Sequence, residues 1–187
     1  MAKPHHLLNL TRGLIYPAFL GAGLLWFSEF VVHYLETGEV AGLLSNPVFY
    51  LSTWFLLYFF VPFTNLHLDK FISDYSFGSF VLDIIDVLII FLAFYNLGLV
   101  GHRPENLNAV YSLLVFIPAV GLISNDAVNN WERWKVMISM ISLILFLLFA
   151  LVGDVSAQIN FIFICIMYAL LFFYILFSFD AERRRLE

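Results

Sequence analysis

The chain has 187 residues, 62% of them hydrophobic and 12% charged, with a mean hydropathy of +0.91. Soluble domains are typically about 45–50% apolar and about 25% charged, so this balance argues against a water-facing fold and for lipid as the main solvent. The net charge of −5 is spread over polar connections. With no basic run interleaved with aromatics, nucleic-acid binding has no support.

Lys3 and Arg12 precede the first apolar stretch. That stretch is too long for a signal-peptide core and lacks a small-residue cleavage site, so it reads as a retained span. A helix crosses the hydrocarbon core with about 20 apolar residues. Six segments meet or approach that length: Gly13 to Leu35, Pro47 to Phe63, Phe77 to Val100, Leu107 to Ser124, Trp134 to Gly153 and Ala157 to Phe179. Asn46-Pro47 is a good helix start, because proline at the first helical position loses no needed hydrogen bond. Pro118 lies inside the fourth segment and predicts a kink there, with Gly121 allowing close packing. The small residues Ala18, Gly21, Ala22 and Gly23 predict a tight helix contact in the first. The expected fold is all-α: a single polytopic membrane domain over residues 1–187, with no internal repeat visible in the sequence.

The connections orient these spans. With a cytoplasmic N-terminus, the inner segments hold Lys3, Arg12, Lys70, Arg133, Lys135, Arg183, Arg184 and Arg185, and the outer ones only Arg103. Basic residues resist translocation, so both termini are expected in the cytoplasm, and the plasma (inner) membrane is the expected location. Trp131 and Trp134 fall at the inner boundary, where indoles favour headgroups. The linker "TNLHLDKFISDYS" reads as a short interfacial helix. Cys165 lies in an apolar run, where a thiol stays protonated and inert.

Ionisable groups inside the spans carry the functional signal. They are Glu29 and His33 in the first span and Asp83 and Asp86 in the third; no lysine or arginine falls inside any span, Lys135 marking an edge. A carboxylate near mid-bilayer costs about 2.5–3.5 kcal/mol, against about 0.3–0.6 kcal/mol recovered per large apolar residue. Four things offset such a cost: a proton, hydrogen bonds, a wet cavity or a bound cation. Asp83 and Asp86 share one helix face about 4.5 Å apart along the axis, with Ser79 before them and Ile90 and Ala93 after. Their repulsion favours a shared proton or cation. For Asp83 the alternative is solvation at the inner rim. Glu29 and His33, four apart, are placed for a carboxylate–imidazole hydrogen bond, with the outer headgroup layer as the plainer setting. Glu36, Glu39, Glu105 and Asp154 make the outer side acidic. His67 and Asp69 are too few for a metal site, and the remaining histidines do not face one another as haem ligands.

The first expectation is therefore a small cation or proton channel or carrier. Asp83, Asp86, Glu29 and His33 line its polar pathway, and a homo-oligomer encloses it, since six helices are few. No cofactor is expected beyond a bound cation or proton. The alternative is a non-catalytic subunit or sensor that binds a partner protein through buried polar helix faces or the tail "DAERRRLE". A third reading, a membrane enzyme acting on lipid or quinone, lacks a nucleophile or metal-ligand set.

Overall fold

In the computed structural model the described residues are 4–68, 77–100, 106–124, 133–152 and 157–186, and all but the short turns among them are helical. The first helix is one long rod. Helix α1 (Pro4–Leu10) passes through a π turn (Thr11–Ile15) directly into α2 (Tyr16–Glu36). Pro17 accounts for the turn: proline donates no hydrogen bond and its ring crowds the carbonyl four residues back, at Gly13. The wider π turn makes room. It also lets Thr11 and Tyr16, five residues apart, both be buried; on an uninterrupted α-helix they would sit about 140° apart.

The α2 terminus is closed by a Schellman motif. Gly38 takes the left-handed conformation at φ 73°, its N–H donating to Leu35 O at 3.2 Å and that of Glu39 to Tyr34 O at 3.0 Å. A six-residue helix, α3 (Val40–Ser45), follows within the expected outer connection. It leads into α4 (Pro47–Leu68), which starts as the sequence predicts. Asn46 Oδ1 accepts the Val48 N–H at 2.9 Å, and Asn46 Nδ2 donates to Tyr34 Oη at 2.8 Å, tying the helix start to α2. The later helices are α5 (Phe77–Leu99), α6 (Asn106–Ser124), α7 (Arg133–Val152) and α8 (Ala157–Leu186).

Every expected span thus coincides with a helix. Three helical stretches, His6–Glu36, Phe80–Leu99 and Gln158–Phe177, are long and apolar enough to cross a membrane. Pro47–Phe60, Leu107–Val120 and Val136–Leu151 are shorter apolar helices among the described residues. The proposed interfacial helix past Leu68, Trp131, Asp69, Arg103, Glu105 and Asp154 lie outside the described residues.

The chain divides into two compact units, Met1–Gly98 and Leu99–Glu187. In the first, α2 and α5 run the same way: Phe19 meets Phe91 edge-on, Trp26 meets Phe94, and Gly98 lies against the Trp26 indole. Helix α4 runs oppositely, with Tyr16 against Phe59 at one end and Phe27 stacked on Phe49 at the other. Of the small residues on α2, only Gly23 is buried, and a Cβ there would sit 3.4 Å from both Leu56 and Phe94. Ala18, Gly21 and Ala22 are exposed, so the close approach is made at one glycine and not along the expected strip. Within the stretch "STWFLLYFFVPF", Ser52, Trp54, Phe55, Leu56 and Phe59 are buried packing surface, while Leu57 and Phe60 are exposed.

In the second unit α7 and α8 are antiparallel. Phe149 stacks on Phe163 at 3.6 Å between ring centroids, and Trp134 stacks on Phe177 at 5.1 Å. Tyr111 of α6 meets both Phe149 and Phe163 edge-on and donates a hydrogen bond to Asn160 Oδ1. Outward positions are strongly apolar in both units, with Leu25 62% and Leu151 75% exposed. In water such faces would drive association; lipid is the solvent they match.

Candidate functional site

On α5 the buried positions Asp86, Ile90, Ala93 and Leu97 recur every three or four residues, while Ile85, Leu88, Phe91 and Leu92 are exposed. This is the spacing of one helix face, and it turns Asp86 toward the interior of the first unit. Asp86 is 7% exposed, its neighbours Val87 and Ile89 are also buried, and its Oδ1 is shielded with no hydrogen-bond partner among the described residues. Most buried polar groups are satisfied, so this oxygen stands apart. The other polar groups of the unit illustrate the norm. Thr11 Oγ1 donates to Leu7 O at 3.0 Å, Ser52 Oγ to Val48 O at 2.6 Å and Thr53 Oγ1 to Phe49 O at 2.7 Å. Asn96 Nδ2 likewise donates to Leu92 O, at 2.8 Å, within its own helix and not across to another.

Asp83 is half-buried one turn before Asp86. Both aspartates therefore lie on or beside the inward face, as the spacing predicts, with Asp86 the deeper. The side chain of Ser79 lies outside the described residues.

The structure supplies a basic residue that the sequence reading placed outside the spans. Helix α2 and α5 are parallel, paired at Phe19–Phe91. Arg12 lies in the π turn that leads into α2. Arg12 is half-buried and its Nε is shielded from solvent. Because the rod begins before the apolar segment does, a residue flanking the span belongs to the packed bundle. One turn further along, the buried Tyr16 packs against Phe59 at 5.0 Å between centroids. The signal in the sequence was Arg12 followed closely by a buried-type aromatic and Pro17, which together imply a helix continuing backward past its expected start.

Glu29 and His33 lie elsewhere. They are exposed near the C-terminal end of α2. No hydrogen bond joins Glu29 to His33 among the described residues; His33 instead packs its ring edge-on against Tyr34 at 5.9 Å. The four expected pathway residues are thus two separate pairs, one buried and one exposed. No group of three or more His, Cys, Asp or Glu among the described residues is placed to hold a metal ion. The side chain of His67 lies outside the described residues, and Cys165 is exposed on α8.

The arrangement is one deep carboxylate, Asp86, with a second, Asp83, half-buried a turn away on the same helix. Such a pair can take up or release a single positive charge at Asp86. The chain matches no protein-family model, no curated protein and no solved structure, so its chemistry is read from this geometry alone.

Proposed function

We propose that the protein is a six-span protein of the plasma (inner) membrane, with both termini cytoplasmic, that passes protons or small cations along a pathway containing Asp83 and Asp86. Asp86 carries the reading: a nine-tenths buried carboxylate whose Oδ1 lacks a hydrogen-bond partner among the described residues, in a helix apolar and long enough to span. An intramembrane acid of this kind is costly and marks a functional site by default. The alternation of α2, α4 and α5 within the first unit supports the threading, as does the division of basic residues between the two sides. Glu29 and His33 belong to the outer mouth, in the headgroup layer. A homo-oligomer completes the enclosure around the polar face.

The test is flux from liposomes of the purified protein, read with a pH-sensitive dye and with ion-selective probes. Asp86→Asn lowers the flux at least about tenfold, equivalent to about 1.4 kcal/mol on the barrier. A wild-type flux untouched by Asp86→Asn rules out this pathway. The exposed Glu29 and His33 surface supports a second reading, a subunit that recognises a partner helix. Tight co-purification with one other membrane protein, and no flux alone, selects it.

A further inference from the structure

Helix α3 has no polar side chain from Val40 to Leu44, yet only one side of it is covered by protein. Leu43 is buried, and Gly42 lies against the Tyr34 ring, where a Cβ would sit 3.5 Å away. On the other side Val40 is 46% and Leu44 55% exposed, with Ala41 exposed between them. These three positions share one helix face. A helix apolar all round belongs where both faces are covered, and the residues that flank this one, Thr37, Glu39 and Asn46, are polar. We propose that α3 is a surface anchor, whose outward face of Val40, Ala41 and Leu44 seats in the headgroup layer of the bilayer against the acyl chains. This rests on α2 crossing the membrane and is independent of what the protein passes.

Length puts α3 at that depth. The helical stretch His6–Glu36 has 31 residues, about 45 Å by helical rise. The hydrocarbon is about 30 Å thick and the bilayer with its headgroups about 40–45 Å, so a rod of this length ends among headgroups. Its neighbours stop short of that end. Phe27 stacks on Phe49, near the start of α4, and Gly98, beside the Trp26 indole, is next to the last residue of α5. From Phe27 the rod runs on to Glu36, about 14 Å further, and α3 packs on this projecting part through Tyr34.

Two tyrosines hold α3 in place. Asn46 Nδ2, just past its end, donates to Tyr34 Oη at 2.8 Å, and Tyr50 Oη donates to Leu44 O at 2.7 Å, satisfying a last-turn carbonyl. Tyrosine favours the headgroup layer, where its ring meets apolar groups and its hydroxyl polar ones. The outward face of α3 also continues an apolar surface of α2, on which Val32 and Leu35 are exposed. That continuity selects the bilayer as the occupant.

Depth-dependent fluorescence quenching of the full chain in liposomes tests this. Cys165 is the chain's single cysteine, so Cys165→Ser gives a background in which one introduced thiol carries the label. Labels at Val40→Cys and Leu44→Cys are expected to be quenched several-fold more by phospholipid spin-labelled just below the headgroup than by aqueous iodide. Glu36→Cys and Glu39→Cys, on the polar turn, are expected to show the reverse. Ala22→Cys, exposed near the middle of the rod, is expected to respond most to a spin label deep in the acyl chains. Iodide quenching at Val40 and Leu44 equal to that at Glu36, with Ala22 still quenched from lipid, puts α3 in water and overturns the anchor while keeping the span. Quenching by neither agent means that a second copy or another protein covers the face, and overturns it as well. Iodide quenching at Ala22 removes the span and the anchor with it.

Discussion

Both units of the molecule are built on apolar helices, yet they are held together differently. The first buries Thr11, Ser52 and Asp86, with Arg12 half-buried. The second is centred on rings, Tyr111, Phe146, Phe149 and Phe163, and its cross-helix polar contact, Tyr111 to Asn160, joins a donor to an acceptor. Between helices in lipid there is little hydrophobic drive, so packing and satisfied hydrogen bonds supply the association. The second unit follows that rule at Tyr111 and Asn160. The first departs from it at Asp86, and a departure from local consistency is where function is expected.

Three perturbations bear on this contrast. The largest effect is expected from Phe163→Ala, which removes the ring shared by Tyr111, Phe146 and Phe149. It should cost about 3–5 kcal/mol in detergent unfolding, with loss of amide protection in α6 to α8 and little change in α2, α4 and α5. Loss spread evenly over both sets of helices breaks the comparison.

Next is the one tight glycine of the first unit. Gly23→Leu forces a side chain into Leu56 and Phe94 and should destabilise by about 1–3 kcal/mol. At Gly21, where a Cβ meets nothing within 4 Å, leucine should be neutral or stabilising by up to about 1 kcal/mol through helix propensity. Equal effects at both positions would mean that the first unit does not close at Gly23. The smallest effect is expected at the exposed pair. Glu29→Gln and His33→Ala should change any liposome flux less than about twofold, against the tenfold loss from Asp86→Asn, a gap of about 1 kcal/mol on the barrier. A loss at Glu29 matching that at Asp86 makes the two pairs one pathway.

Some of the site was legible before any coordinates. The three-residue spacing of Asp83 and Asp86 announces a shared face, because helical periodicity is a property of a single segment. The same rule offered Glu29 and His33 an easy hydrogen bond that the structure does not make: spacing brings side chains within reach but does not say whether a face points inward or out. The helix start is a different case. Hydropathy marks where an apolar span begins, at Gly13, whereas the helix already runs from Pro4 through Arg12.

What the amino-acid order alone determined is the set of apolar helices and, at Asn46-Pro47, where one of them begins. In lipid a backbone has no water to bond, so an apolar run of spanning length must satisfy itself as a helix, and caps such as Asn46-Pro47 act within a few residues. Which acid is buried and which glycine admits a neighbouring helix were decided by the tertiary structure. Those answers depend on the register between α2, α4 and α5, segments far apart along the chain, and register is set by how their side chains interlock.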